Sequence, residues 1–203
     1  MGLESARRSP AAARRARLLW MASMLAATAV LAGEAAASQR FAAQGELEVA
    51  FSPRDDVEAL IVKLVGGARK SLQVQAYVFT SRTIADALVA AHRRGVDVAV
   101  LADAQMNRRA SGNALPRLLA AGVPVALETR YNAAHNKVMI VDADGPGCAL
   151  MTGSYNFTWS ARKRNAENVL VLREHCAVAQ AYRSNWQRHR ADATPITTLP
   201  WKP

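Results

Sequence analysis

The sequence predicts an α/β domain built on a mixed, largely parallel β-sheet flanked by helices. Three observations carry that reading. Strand-like and helix-like segments alternate from residue 47 to residue 127, the order of consecutive strand–helix units. Glycines stand where two of the helix-like segments should end, at Gly66-Gly67 and at Gly95. A length of 203 residues, 51% of them hydrophobic, suits one ordinary domain with a sizeable core.

Leu47–Phe51 alternates apolar and polar residues and stops at Ser52-Pro53, a short strand. Between Asp55 and Ala68 the apolar positions 57, 60, 61, 64 and 65 fall at helical spacing. Ser71–Phe79 reads as a strand. Ser81-Arg82-Thr83 then caps a helix that runs to Arg94. Asp97–Leu101 is a strand, Gly112–Ala121 a helix and Val123–Leu127 another strand. Beyond that point Asn136–Val141 and Ala149–Thr152 flank Asp144-Gly145-Pro146-Gly147, a hairpin loop by composition. Val169–Leu172 is a further strand and Ala177–His189 a closing helix. The stretch 192–203 carries three prolines and reads as a loose tail.

This composition excludes a disordered chain, a collagen and a disulfide-stapled mini-protein. One stretch alone approaches a bilayer span, which excludes a polytopic membrane protein. That stretch is Leu18–Ala32. It is preceded by Arg7, Arg8, Arg14, Arg15 and Arg17 and followed by Ala35-Ala36-Ala37. The arrangement predicts a secretory signal over residues 1–37, cut after Ala37, and a periplasmic or secreted protein; an uncleaved anchor is the alternative. Lys+Arg 26 against Asp+Glu 16 gives +10. Removal of the leader leaves twenty-one cations against fourteen carboxylates, or +7. The basicity therefore belongs to the folded domain, and it favours an anionic partner: nucleic acid, an acidic membrane surface or a phosphorylated substrate. In an oxidising compartment Cys148 and Cys176 are disulfide candidates, and they meet if the strands beside them pair antiparallel.

The chemistry concentrates in His135-Asn136-Lys137-Val138-Met139-Ile140-Val141-Asp142 and Gly153-Ser154-Tyr155-Asn156. His135 and Lys137 stand two apart at the mouth of a strand and leave it on one face. The imidazole can attack or shuttle a proton near neutral pH, and the ammonium can hold a phosphate oxygen. Ser154 and Asn156 repeat the spacing with a hydroxyl and an amide. Asp142, at an odd offset from His135, belongs to the opposite face and to a supporting role.

His-x-Lys-x4-Asp followed by Gly-Ser-x-Asn resembles the HKD motif of the phospholipase D superfamily. The likeness is greatest to the small single-motif bacterial periplasmic endonucleases of that family. It continues through Phe51-Ser52-Pro53, Ala76-Tyr77-Val78-Phe79-Thr80, Arg94-Gly95-Val96-Asp97-Val98 and Asn165-Ala166-Glu167-Asn168, and so spans nearly all of the chain after the leader. One departure is the longer stretch 143–152 between Asp142 and Gly153, whose extra residues fall at the hairpin tip.

The resemblance implies the phospholipase D/nuclease fold and a phosphodiesterase that needs no metal or cofactor. His135 would attack phosphorus and a second histidine would protonate the leaving oxygen. Lys137, Asn156 and Ser154 would hold the non-bridging oxygens, and Glu167 would hydrogen-bond His135 to orient its ring. The chain has one such motif, so a two-fold homodimer would complete the site. Nucleic acid is the favoured substrate, with no stable membrane association after leader removal. A phospholipase D acting on lipid headgroups is the alternative. It wants an apolar entrance, for which no extended exposed apolar segment is apparent. A non-catalytic nucleic-acid-binding module is the third reading, which the intact motif disfavours.

Other residues have plainer uses beside the functional one. Arg162, Lys163 and Arg164 follow the Gly-Ser-x-Asn segment and are candidates for the phosphate backbone, or simply solvated charge. Arg108-Arg109 in a Gly/Ser/Asn-containing loop are a similar case. Tyr155 and Trp159 could stack a base, but core packing suits each better, as it does Tyr77. His92 reads as a helix C-terminal cation, and His175 and His189 as surface residues. No spaced His/Cys/Asp cluster suggests a metal.

Overall fold

The computed structural model describes residues 38–201. The expected leader and its cleavage site lie outside the described residues. Eight strands are present among the described residues: β1 (Glu46–Ser52), β2 (Ser71–Ala76), β3 (Asp97–Asp103), β4 (Val125–Glu128), β5 (Lys137–Val141), β6 (Ala149–Gly153), β7 (Glu167–Arg173) and β8 (Thr194–Ile196). The helices are α1 (Val57–Gly67), α2 (Arg82–Arg93), α3 (Ala104–Arg109), α4 (Leu115–Ala120), α5 (Trp159–Lys163) and α6 (Cys176–Asp192).

All eight strands form one mixed sheet in the order β1-β7-β6-β5-β2-β3-β4-β8. The predicted class stands, with one correction to its parallel share. Only β2–β3 and β3–β4 are parallel; the other five neighbouring pairs are antiparallel. β5 enters antiparallel to β2 and continues into the β5–β6–β7 meander, while β1 does not lie beside β2 but crosses to the far edge and pairs with β7, Leu47 opposite Leu172 and Phe51 opposite Asn168. Strand order along the chain cannot show such a long-range pairing.

Caps start the helices where the sequence puts acceptors. The Asp56 carboxylate accepts from Ala59 N at 3.1 Å and the Ser81 hydroxyl from Ile84 N at 3.1 Å. Apolar faces of α1, α2 and α4 bury Ile61, Leu64, Leu88 and Leu115 against Leu72, Val74, Met139 and Val169 on one side of the sheet. Helix α6 covers Leu101, Ile140 and Leu150 on the other with Ala179 and Trp186. The Trp186 indole N–H donates to Val74 O at 3.0 Å, which satisfies its polar edge in the core.

Four local readings need correction. Arg108 and Arg109 do not lie in a loop; they end α3, which Asp103 caps through Met106 N at 2.7 Å. The next helix begins at Leu115 rather than Gly112, after Asn113 Oδ1 accepts from Leu115 N. The tail is not loose along its length: Thr194–Ile196 pairs with β4, and Leu199 and Trp201 pack on the core. Finally, the apolar residues of β1 face outward. Leu47, Val49 and Phe51 are exposed while Ala50 and Ser52 are buried, so the chain does carry an exposed apolar row. Cys148, just before β6, and Cys176, the first residue of α6, are joined as a disulfide with Cα atoms 5.4 Å apart.

Candidate active site

Strands β2, β3 and β4 end, and β5 and β7 begin, at the same end of the sheet. His135, Lys137, Gly153, Ser154 and Asn156 gather at this end, while Asp142 follows β5 at the other. Parallel strands leave a crevice beyond their C-terminal ends, and this is where His135 lies. Its ring packs edge-on against Tyr77 with centroids 4.2 Å apart, and its residue is exposed.

Lys137 opens β5 and is almost wholly buried, 3% exposed. Its ammonium donates to His135 O at 2.7 Å and lies 4.6 Å from the Tyr77 ring centroid. Burial pulls its pKa down from 10.5 to about 8, against the nearby Glu167 carboxylate, which raises it. A cation held beside an exposed imidazole, with little solvent, is poised to take a phosphoryl oxygen. Tyr77, expected in the core, is thus part of the site floor.

Backbone packing explains the Gly-Ser pair. A Cβ on Gly153 would come within 2.2 Å of Asn168 O, so only glycine lets β6 approach β7 there. That approach places Ser154 Oγ 2.6 Å from Glu167 Oε2, while Asn168 N donates back to Ser154 Oγ at 3.0 Å. Asn165 Nδ2 donates to the other Glu167 oxygen at 2.9 Å. Asn156 Oδ1 is buried with no partner among the described residues, an acceptor without a donor.

Supports behind this layer come from residues the motif does not contain. Asp103, 1% exposed, accepts from Ala134 N at 2.8 Å and so anchors the residue before His135. Asn107, fully buried, donates to Tyr77 O at 2.9 Å and accepts from Phe79 N at 3.0 Å. Both hold the floor on which the imidazole rests. An Asp at a strand end before a helical run is a visible capping signal; nothing in the sequence ties it to Ala134.

The arrangement agrees with the matched family. A model described as "Cardiolipin synthase, PLD-like domain" matches residues 61–190. The chain belongs to the phospholipase D superfamily. It is 35% identical over 153 residues to a protein named "Phospholipase D" from Rickettsia prowazekii, covering 75% of this chain and 72% of that one. It is 33% identical over 138 residues to the "Mitochondrial cardiolipin hydrolase" of Xenopus laevis, covering 68% of this chain and 62% of that one. The solved structure of Nuc, a phospholipase D family member from Salmonella typhimurium, superposes with a TM-score of 0.70 at 28% identity, over 76% of this chain and all of that one. The chain is therefore a phosphodiesterase of this superfamily with the fold the motif implied.

Several expected residues take other places than the superfamily motif alone suggests. Both Glu167 oxygens are engaged by Ser154 and Asn165, so the hydrogen bond expected between Glu167 and His135 is not made within this chain. Ser154 is turned toward Glu167 for the same reason. Asp142 stands on the far side: its carboxylate accepts from Arg69 N, Lys70 N and Ser71 N at 2.8, 2.7 and 2.8 Å, which clamps the entry to β2. Arg162 is not free for substrate. It donates to Glu58 at 2.6 Å and Asp56 at 2.9 Å, and Glu58 in turn accepts from Ser81. Lys163 and Arg164 are exposed, Arg164 4.7 Å over the Trp159 ring. Trp159 is itself 55% exposed rather than core, while Tyr155 is fully buried. His175 is buried with Nε2 2.9 Å from Ala42 O, and His189 pairs with buried Glu128. Neither is the surface residue expected.

Proposed function

We propose that this phosphodiesterase is a metal-independent endonuclease acting as a two-fold homodimer. The observation that carries the reading is the exposed His135 set beside the buried Lys137 cation at a sheet end bordered by Arg108, Arg109, Lys163 and Arg164. A polyanion fits that border better than a single headgroup. His135 attacks phosphorus and forms a P–N bond as the P–O bond to the leaving group breaks. A second histidine gives its proton to the leaving oxygen. Water then displaces the imidazole, passing its proton back, and releases the phosphomonoester. Lys137 stabilises the charge on the non-bridging oxygens, and the Asn156 amide, just past β6, is the further donor to them.

The second histidine has to come from another copy. His92 is in the last turn of α2, at the opposite sheet end, and His175 lies beyond the end of β7. His189 is held by Glu128 beneath Tyr131. His135 of a second chain supplies the acid.

A second reading, phospholipid headgroup hydrolysis, is favoured by the names of the Rickettsia and Xenopus relatives. One assay separates the two: cleavage of circular plasmid DNA in excess EDTA, beside His135→Ala. Cutting by the parent alone supports the endonuclease. No cutting, with headgroup release from phosphatidyl substrates that His135→Ala abolishes, replaces it with the lipid reading.

A further inference from the structure

Trp159 opens α5, three residues after Asn156, and is 55% exposed. An indole left in water forgoes the burial that ordinarily draws it into a core, and its neighbours Tyr155 and Phe157 on the same segment are fully buried. The Arg164 guanidinium lies 4.7 Å over the ring centroid. A ring covered on both faces would not stay more than half exposed, so the face away from Arg164 is open.

That ring is held in place relative to the site. Thr158, the cap of α5, donates from its N–H to Asn156 O at 2.7 Å and accepts from Ala161 N at 3.1 Å. Past the last turn, Asn165 N–H donates to Ser160 O at 3.0 Å, and its side chain donates to Glu167 at 2.9 Å. From behind, Ser52 Oγ donates to Ala161 O at 2.7 Å, and Arg162 is tied to Glu58 and Asp56. Three residues of chain reach at most about 10 Å, so the Trp159 backbone stands within that distance of Asn156.

We infer that Trp159 is a stacking platform for an unpaired base near the scissile phosphate, and that the preferred substrate is single-stranded nucleic acid; the inference rests on the endonuclease reading above. An indole face stacks on any base that offers its own face. A base inside a duplex has both faces covered and meets the ring only by leaving the stack, whereas a single strand offers its bases freely. Lys163 and Arg164, exposed on the same short helix and its end, supply cations for the flanking phosphates, and the Arg164 guanidinium backs the ring. A lipid surface fits the feature less well. The residues exposed with Trp159 here are Ser160, Lys163 and Arg164, while Ala161 is buried, and an interfacial anchor sets its aromatic within a wider apolar face.

The test uses protein produced from the full chain, carrying His135→Ala so that no probe is cut. Three probes are titrated in EDTA: a short mixed-sequence DNA strand, the same strand with every base removed, and its duplex. Adding Trp159→Ala should weaken binding of the intact strand by about ten- to a hundredfold, and Trp159→Phe should restore most of it. The abasic strand should bind equally with and without the indole, and the duplex should lose little. With His135 in place, Trp159→Ala should lower kcat/KM on the single strand by a similar factor. Should Trp159→Ala fail to fold, Trp159→Leu, apolar but without a ring face, set against Trp159→Phe decides the matter. No loss on the intact strand, or an equal loss on the abasic strand or the duplex, overturns the platform while the parent's plasmid cutting keeps the endonuclease reading standing. A parent that neither binds nor cuts nucleic acid overturns both, and loss of binding to phosphatidylglycerol vesicles in Trp159→Ala would then assign the ring to a membrane surface.

Discussion

Replacing Lys137 by Met should make the protein more stable and nearly inactive. The ammonium is buried, and its pKa is drawn from 10.5 down to about 8. A tenfold change in an acid constant is worth about 1.4 kcal/mol, so keeping this lysine charged in the fold costs about 3 kcal/mol at neutral pH. Met fills a similar volume without that cost but loses the hydrogen bond to His135 O, worth about 1 kcal/mol. A net gain of about 2 kcal/mol follows at pH 7. Alkali shifts the balance the other way. Between pH 8 and 10.5 the unfolded lysine binds more protons than the folded one, so the parent gains stability through that window. The advantage of Lys137→Met should shrink there and vanish by about pH 10. Guanidinium unfolding at several pH values, with the disulfide intact, measures this directly. The same cation sets the rate. Turnover should fall by about 10²- to 10³-fold in the variant, and the parent's kcat/KM should decline above about pH 8 as free Lys137 loses its proton. A variant less stable than the parent at pH 7, or a difference indifferent to pH, would refute the burial argument.

Gly153→Ala should destabilise by at least about 2 kcal/mol in chemical unfolding, because its Cβ meets Asn168 O at 2.2 Å. Asp103→Ala frees both Ala134 N and the cap of α3; it should lower kcat more than it raises KM and cost about 1–3 kcal/mol of stability. Arg162→Ala should also cost stability, by breaking the ion pairs with Glu58 and Asp56. By contrast, Lys163→Ala and Arg164→Ala should leave the unfolding midpoint unchanged. Each should instead reduce the salt dependence of nucleic-acid binding by about one counterion, read by titration at several ionic strengths.

The motif is legible because its meaning is carried by short spacings. His135 and Lys137 stand two apart and come together at the mouth of β5, while Asp142, just past the strand's other end with a positive φ, takes its supporting place at the opposite end of the sheet rather than on the opposite face. Helix starts are legible for the same reason, since Asp56 and Ser81 cap within their own turn. Whatever depends on distant partners is not. The edge pairing of β1 with β7 joins residues more than a hundred apart, and nothing local in the sequence announces it. Tyr77 looks like a core residue until Asn107 and Lys137 are seen on either side of it. Arg162 looks like a phosphate ligand until Glu58, which helical spacing alone would send to solvent, proves to be buried beneath it.

The alternation of β1 illustrates the limit most clearly. Its period of two marks a strand, but period alone does not say which set of side chains faces inward. In an interior strand the answer would follow from hydrophobicity, because burying Leu47, Val49 and Phe51 would win. At the sheet edge the opposite face must fit Ser52 Oγ against Ala161 O at 2.7 Å. A bond from β1 to α5 fixes Ser52 inward, and the pleat then commits Phe51, Val49 and Leu47 outward. An apolar row exposed by that constraint would be costly in a lone protomer, and it stands beside a site with only one histidine.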